Sequence, residues 1–330
     1  MKFSGKVPYI LMSAIGVFIA TSAYIVYSNT LKMFPMGTSY FWFVFFAYLG
    51  SVLLPQEFAG FRERGFRALY PKAPWKRWYK SVQQIKLWQI FVNGLLYTIY
   101  FGALLWSIRQ ENPAAVLTLL MISQLKTIGN ALLGYMCLGD TFKSWKAYVL
   151  GAVITIVGVC LFKYEQFQKA DIALFDTVVL GAIISNVASM IRGIFDARVK
   201  RPLSISQGDM VASTMMGASV IGFVWMMIES GFSLPQLPTP NQWGALMYLG
   251  VMPTAISAIV SNTVRDNLSF QVADMMDNLR PVFAIFCGMI PLAWFSRPEQ
   301  SLDLIYWIAI ALTVTGIAVV VFFAKGERKT

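Results

Sequence analysis

The chain has 330 residues, of which 57% are hydrophobic, 15% aromatic and 13% charged, with 27 Lys+Arg against 16 Asp+Glu and a net charge of +11. A soluble domain carries about 25% charged residues, so this composition excludes an ordinary soluble enzyme, a disordered chain and a coiled coil. The chain has no histidine, which removes the commonest general base and metal ligand.

A helix crossing the roughly 30 Å hydrocarbon needs about 20 mostly apolar residues. Ten such runs follow one another, at 7–30, 37–54, 87–108, 113–138, 146–162, 177–195, 209–229, 243–264, 268–294 and 304–324. The first is too long for a signal peptide and is followed by further spans, so it reads as an anchor. The expected fold is therefore all-α, a polytopic membrane protein with ten transmembrane helices.

The basic residues sort by side. With both termini inside, the inner segments hold 19 of the 27 Lys+Arg residues, the outer loops five and the spans three. That is the positive-inside asymmetry, and it accounts for the basic charge without nucleic acid. Loop 55–86 is the densest inner patch, with Arg62, Arg64, Arg67, Lys72, Lys76, Arg77, Lys80 and Lys86 interleaved with Tyr70, Trp75, Trp78 and Tyr79. Basic and aromatic side chains together suit a headgroup layer. Cys137, Cys160 and Cys287 all lie in apolar runs, with no metal-ligand spacing. No cofactor or metal is expected.

Span four and span nine align at an offset of 154 residues. Gln124-Leu125-Lys126 falls on Asn278-Leu279-Arg280, and Gly134 falls on Gly288. Five spans per half is an odd number, so the halves enter the membrane from opposite sides. Such an inverted repeat is common in secondary transporters. The expected division is a first repeat over 1–163, an outer connector over 164–175 and a second repeat over 176–330.

Three cations lie inside the spans: Lys126, Arg192 and Arg280. A lone cation at bilayer depth costs about 2.5 kcal/mol or more and needs a partner or a wet cavity. Lys126 and Arg280, at matching central places, suit an anionic group held by a guanidinium fork and a point charge. The competing reading is internal neutralisation by Asp277, one turn before Arg280, and by Asp274, one turn further. Either carboxylate could instead carry a coupling proton. Arg192, near the inner end of its predicted span, is expected to snorkel to the interface. Asn130 lies one turn beyond Lys126. Tyr97 and Tyr100 share a helix face and could stack on a ring or sugar, or simply line the interior. The expected substrate residues are Lys126, Arg280, Asp277, Gln124, Asn278, Asn130, Tyr97 and Tyr100, with Asp277 and Asp274 as possible proton carriers.

These residues resemble a known family. The five-plus-five plan is similar to the drug/metabolite transporter superfamily. Ala114–Phe162, with Leu-Gly-Asp140 closing span four, resembles its EamA-type half-repeat, and Pro281-Val-Phe fits that style. Gln124-Leu-Lys126 resembles the Gln-Leu-Lys of nucleotide-sugar transporters, Asp277-Asn-Leu their Asp-Asn-Ile, and Gly193-Ile-Phe-Asp196 their Gly-Val-Tyr-x-Glu. That resemblance implies that Lys126 faces a substrate phosphate. The sequence departs from the subfamily where its Asn pair is expected in span three. Gly102-Ala103 stands there, and the span-nine lysine is displaced by one residue from Arg280.

The expected function is secondary transport of a small anionic or zwitterionic metabolite by alternating access. A nucleotide-sugar/nucleotide antiporter is the alternative, and a channel or membrane scaffold a remoter one. No Gly-x-Ser-x-Gly, metal-ligand cluster or phosphate-binding Gly-rich loop followed by Lys-Ser/Thr is present, so an enzyme or a primary pump is not expected. Asn267-Leu-Ser lies in a predicted inner loop, away from a glycosylating lumen. A bacterial inner or plasma membrane is the favoured location, with Golgi or ER membrane the alternative. Substrate identity, direction and oligomeric state are not encoded in any motif.

Overall fold

A computed structural model of the chain describes residues 7–53, 74–110, 115–138, 144–170, 176–203, 205, 207–261, 279–288, 290, 294–295 and 303–323. Asp274, Asp277 and Asn278, most of the basic inner loop and the first part of span nine lie outside the described residues. All regular structure among the described residues is helical. The helices are α1 (Val7–Thr30), α2 (Met36–Leu53), α3 (Pro74–Val82), α4 (Leu87–Ile108), α5 (Ala115–Ser123), α6 (Leu125–Leu138), α7 (Trp145–Ala170), α8 (Thr177–Leu203), α9 (Gln207–Glu229), α10 beginning at Pro240–Leu249, α11 (Arg280–Gly288) and α12 (Leu304–Phe323).

Among the described residues, six spans are long and apolar enough to cross a bilayer: Leu11–Thr30, Met36–Leu53, Leu87–Ile108, Thr177–Asp196, Gly208–Glu229 and Pro240–Ser261. Trp145–Leu161 and Leu304–Val320 are shorter apolar helices. The chain is an integral, multi-pass membrane protein. Apolar side chains such as Leu150, Val153, Ile156, Val220, Phe223 and Val224 are exposed on the helix exteriors, as a lipid solvent requires.

The packing is pairwise. α7 packs along α12, α2 along α9, α4 along α8 and α9, and α10 against both α1 and α2; α11 lies against α1 and α5, and α8 against α5 and α6. Small residues carry the tightest crossings. Gly94 of α4 meets Gly217 and Ala218 of α9, and Gly151 of α7 meets Gly316 of α12. Without a hydrophobic drive between helices in lipid, close backbone approach and van der Waals contact hold them together. The short helix α3 docks on α2 and α9. Trp78 packs edge-on to Tyr48 with ring centroids 5.5 Å apart, and Ser81 Oγ donates to Asp209 Oδ2 at 2.8 Å.

Two spans are irregular in the middle. Span four is divided at Gln124, where Gln124 N donates to Met121 O at 3.2 Å and Thr127 N to Gln124 O at 3.0 Å, both three residues back. Asn186 Nδ2 of α8 donates to the Ile122 carbonyl at 3.0 Å, satisfying an acceptor near the end of α5. In α10, Pro253 has no N–H to donate, and the helix widens into a π-turn over Gly250–Ile256. Thr254 Oγ1 donates to the Leu249 carbonyl at 2.7 Å. Such interruptions in a membrane persist where neighbouring groups satisfy the freed backbone.

At the end of the bundle where α1 meets α2, polar contacts tie the helices. Arg109 Nε donates to Tyr27 Oη at 3.2 Å, and Lys32 Nζ to the Gln110 carbonyl at 3.1 Å. The Glu229 carboxylate, at the end of α9, accepts from Met36 N at 2.8 Å and Thr38 N at 3.1 Å. It therefore caps α2, where free N–H groups and the helix dipole favour an anion. Glu229→Ala is expected to cost about 1–2 kcal/mol. Measured as thermal unfolding in detergent, that is a fall of roughly 2–8 °C. An unchanged midpoint would mean that water caps α2 equally well.

Candidate functional site

The candidate site is built around Tyr100 of α4. Its hydroxyl is hydrogen-bonded to that of Tyr24 of α1. Arg280, the first residue of α11, donates from Nη1 to the same Tyr24 hydroxyl at 3.2 Å. Lys126, Arg280 and Arg192 all act electrostatically on Tyr100. Cations from three helices thus act on the same tyrosine.

Local structure explains the convergence. Lys126 occupies the first turn of α6, directly after the break at Gln124. That half-helix begins in the middle of the span, so its positive dipole end adds to the lysine's field. Gln124 itself is buried at the break. Asn130 follows Lys126 by one turn and is half-buried. Gly129 faces the Met190 side chain of α8, and α6 packs on α8.

The Arg192 guanidinium lies over both tyrosine rings, 5.2 Å from the Tyr97 centroid and 5.8 Å from that of Tyr100. Cation–π contact of this kind is worth about 0.5–2 kcal/mol. Arg192 Nε also stands 3.7 Å from Asp196 Oδ2, one turn along α8. Arg192 lies near the end of the apolar span Thr177–Asp196, within a helix that continues to Leu203, and its guanidinium turns to the two tyrosine rings.

Asp196 is held from other helices. Asn93 Nδ2 of α4 donates to Asp196 Oδ1 and also to Thr214 Oγ1 of α9, the latter at 2.7 Å. Tyr97 is buried at 4% exposure. It is hydrogen-bonded to Thr254, the residue presented by the π-turn of α10. The tyrosine pair packs edge-on with centroids 5.9 Å apart.

The structure thus brings together Lys126, Arg280, Tyr97 and Tyr100 from the sequence reading. Gln124 lies at the break beside them, while Asp277, Asn278 and Asp274 lie outside the described residues. The sequence reading left Arg192, Asp196, Thr254, Tyr24 and Asn93 out of the expected substrate residues. The available signal for Asp196 was its i+4 spacing from an intramembrane arginine. For Thr254 it was the adjacent Pro253. Among the described residues no group of His, Cys, Asp and Glu side chains is arranged to hold a metal ion.

No family profile matches the chain. It is 22% identical over 153 residues to the "Biotin transporter" of Escherichia coli (strain K12), a match covering 46% of this chain and 48% of that protein. The "Biotin transporter" of Escherichia coli O157:H7 matches to the same extent. The aligned region thus spans about half the length of these curated relatives. A crystal structure superposes with a TM-score of 0.57 at 17% identity, covering 97% of this chain and 99% of that one. That likeness extends over the whole fold and concerns the fold alone.

Proposed function

We propose that the chain is a secondary transporter that carries a small anionic or zwitterionic organic metabolite across the membrane. The observation that carries this reading is the meeting of Lys126, Arg280 and Arg192 around Tyr100. Cations at this depth are retained only where they serve a ligand, a cavity or a partner. The group sits between α1, α4, α6, α8 and α11, and a broken span lines it, a feature that transporter sites share. The relation to the biotin transporters supports the same class, and biotin, a carboxylic acid, has the proposed charge.

Substrate would bind between two inverted five-helix repeats, 1–163 and 176–330, joined by the connector 164–175. The packing pattern supports this division. Numbering the ten predicted spans in order, the pairs 2–7, 4–9 and 5–10 are unchanged when the halves are exchanged. The pairs 3–6, 3–7 and 4–6 become 8–1, 8–2 and 9–1, all of which also pack. Rocking of one repeat against the other would expose the site alternately to each side. This architecture favours the EamA-type drug/metabolite transporter superfamily. The charge asymmetry favours cytoplasmic termini, and the bacterial relatives favour an inner membrane.

A nucleotide-sugar/nucleotide antiporter is the second reading. The pair Tyr97 and Tyr100 beside Lys126 would suit a base or sugar next to a phosphate. Antiport requires a counter-substrate inside the vesicle, whereas net uptake does not. A channel would far exceed transporter turnover.

The test is a thermal-shift screen of the purified protein with amino acids, organic acids including biotin, sugar phosphates and nucleotides, followed by uptake of the stabilising compound into proteoliposomes. A ligand that binds only its own site stabilises by mass action. No stabilising compound and no uptake would overturn the reading. We further propose Asp277 as a proton carrier, with Asp274 as the alternative carboxylate. Asp277→Asn is expected to abolish accumulation driven by a pH gradient while leaving exchange intact. An unchanged response to the gradient would remove Asp277 from coupling.

A further inference from the structure

We infer that Arg192 is a third substrate-binding cation, held in reserve by Asp196, and that the site is built for an organic anion carrying two negative charges. This inference rests on the transporter reading above and names the substrate class of the same site.

The Arg192–Asp196 pair is a weak hold. Its single contact, 3.7 Å from Nε to Oδ2, is too long for a hydrogen bond. Buried Nε makes no hydrogen bond. A guanidinium gains most from a planar, two-pronged acceptor, and the 3.7 Å contact from Nε to Asp196, between side chains 25% and 30% exposed, does not make one. Its Oδ1 is engaged instead by Asn93, which also bonds Thr214. Asp196 is therefore tied to α4 and, through Asn93, to α9, independently of its long contact with Arg192.

The guanidinium, by contrast, lies against Tyr97 and Tyr100. Tyr100 is the residue on which Lys126 and Arg280 also act. An anion bound by Lys126 and Arg280 beside Tyr100 would stand next to the same ring face on which Arg192 rests. Arg192 can then turn from a poorly made internal pair to a charge-assisted contact with the ligand, which is shorter and stronger. Asp196 loses little, because Asn93 continues to hold it. A singly charged ligand is served by Lys126 and Arg280 alone. A second negative charge, on a phosphate monoester or a dicarboxylate, is what makes the third cation useful.

The experiment uses the purified full-length protein and ligand-induced thermal shifts, titrated to apparent Kd. The probes are glycerol 3-phosphate and succinate as dianions, with butyrate and biotin as monoanions. Wild-type protein is expected to bind at least one dianion tenfold or more tighter than either monoanion. Arg192→Gln is expected to erase that preference, weakening the dianion at least tenfold and leaving the monoanions unchanged. Arg192→Lys should recover part of it. Asp196→Asn, which releases the arginine, should tighten the dianion severalfold. Monoanions that bind as well as both dianions in wild type would overturn the inference. So would dianion binding that survives Arg192→Gln but is lost in Lys126→Gln. That second result leaves the site of the transporter reading standing. Failure of that reading is seen separately, as uptake that does not depend on Lys126 or Arg280.

Discussion

Lys126→Ala and Arg280→Ala are each expected to reduce uptake in proteoliposomes to the level of protein-free vesicles, while both variants fold and insert. Both side chains act electrostatically on Tyr100, from α6 and α11, and Arg280 donates to the Tyr24 hydroxyl that bonds it. A ligand anion between them is desolvated. Removing one member of a buried charge pair then costs about 3–5 kcal/mol, because the other charge is left uncompensated. At roughly 1.4 kcal/mol per tenfold, that is a loss of two to three orders of magnitude in binding. Both variants should still elute as a single species in detergent, so that lost uptake reports on the site and not on folding. Arg280→Lys separates charge from geometry. It keeps the cation and loses the guanidinium fork, so uptake should persist with a raised KM. Normal uptake by both alanine variants would remove the pair from the substrate path.

How much of this was legible from the sequence depends on which physical signal each residue leaves. The six spans seen among the described residues are written in apolar runs, because bilayer thickness imposes that pattern directly. Lys126 and Arg280 are legible for the same reason, since a cation in the middle of an apolar run is costly wherever the chain goes. Arg192 is read from its nearness to the end of its span, and the apolar span Thr177–Asp196 keeps that boundary. Its contacts with the Tyr97 and Tyr100 rings come from another helix and leave no local mark. The break at Gln124 left no local mark, because glutamine is a good helix former. The interruption depends on Asn186 reaching the Ile122 carbonyl from another helix. Asp196 and Asn93 are 103 residues apart. Nothing in either segment announces the other.

Gly94→Leu is expected to be the most damaging single change outside the site. A Cβ at Gly94 would come 2.5 Å from Ala218 N and 2.8 Å from Gly217 Cα, so the obstacle is backbone and cannot move aside. Gly217 is equally confined, because its own Cβ would press on the Ile90 carbonyl of α4. The exchanged crossing, α2 against α10, is built the same way. A Cβ at Gly250 would lie 2.5 Å from Phe43 O and 2.8 Å from Ala47 N. Overpacking a core costs about 1–3 kcal/mol when side chains can yield, and more is expected where only helices can. Separation of α4 from α9 also pulls Asn93 away from Thr214 and weakens the hold on Asp196. At about 2–4 °C per kcal/mol, Gly94→Leu should lower the unfolding midpoint by roughly 6–12 °C or leave the protein unable to form a monodisperse peak in detergent. Gly193→Ala, with nothing within 4 Å of the added carbon, should unfold as wild type does. A Gly94→Leu protein as stable as that control would show that α4 and α9 do not cross where these glycines place them, and the Asn93–Thr214 contact would fall with the crossing.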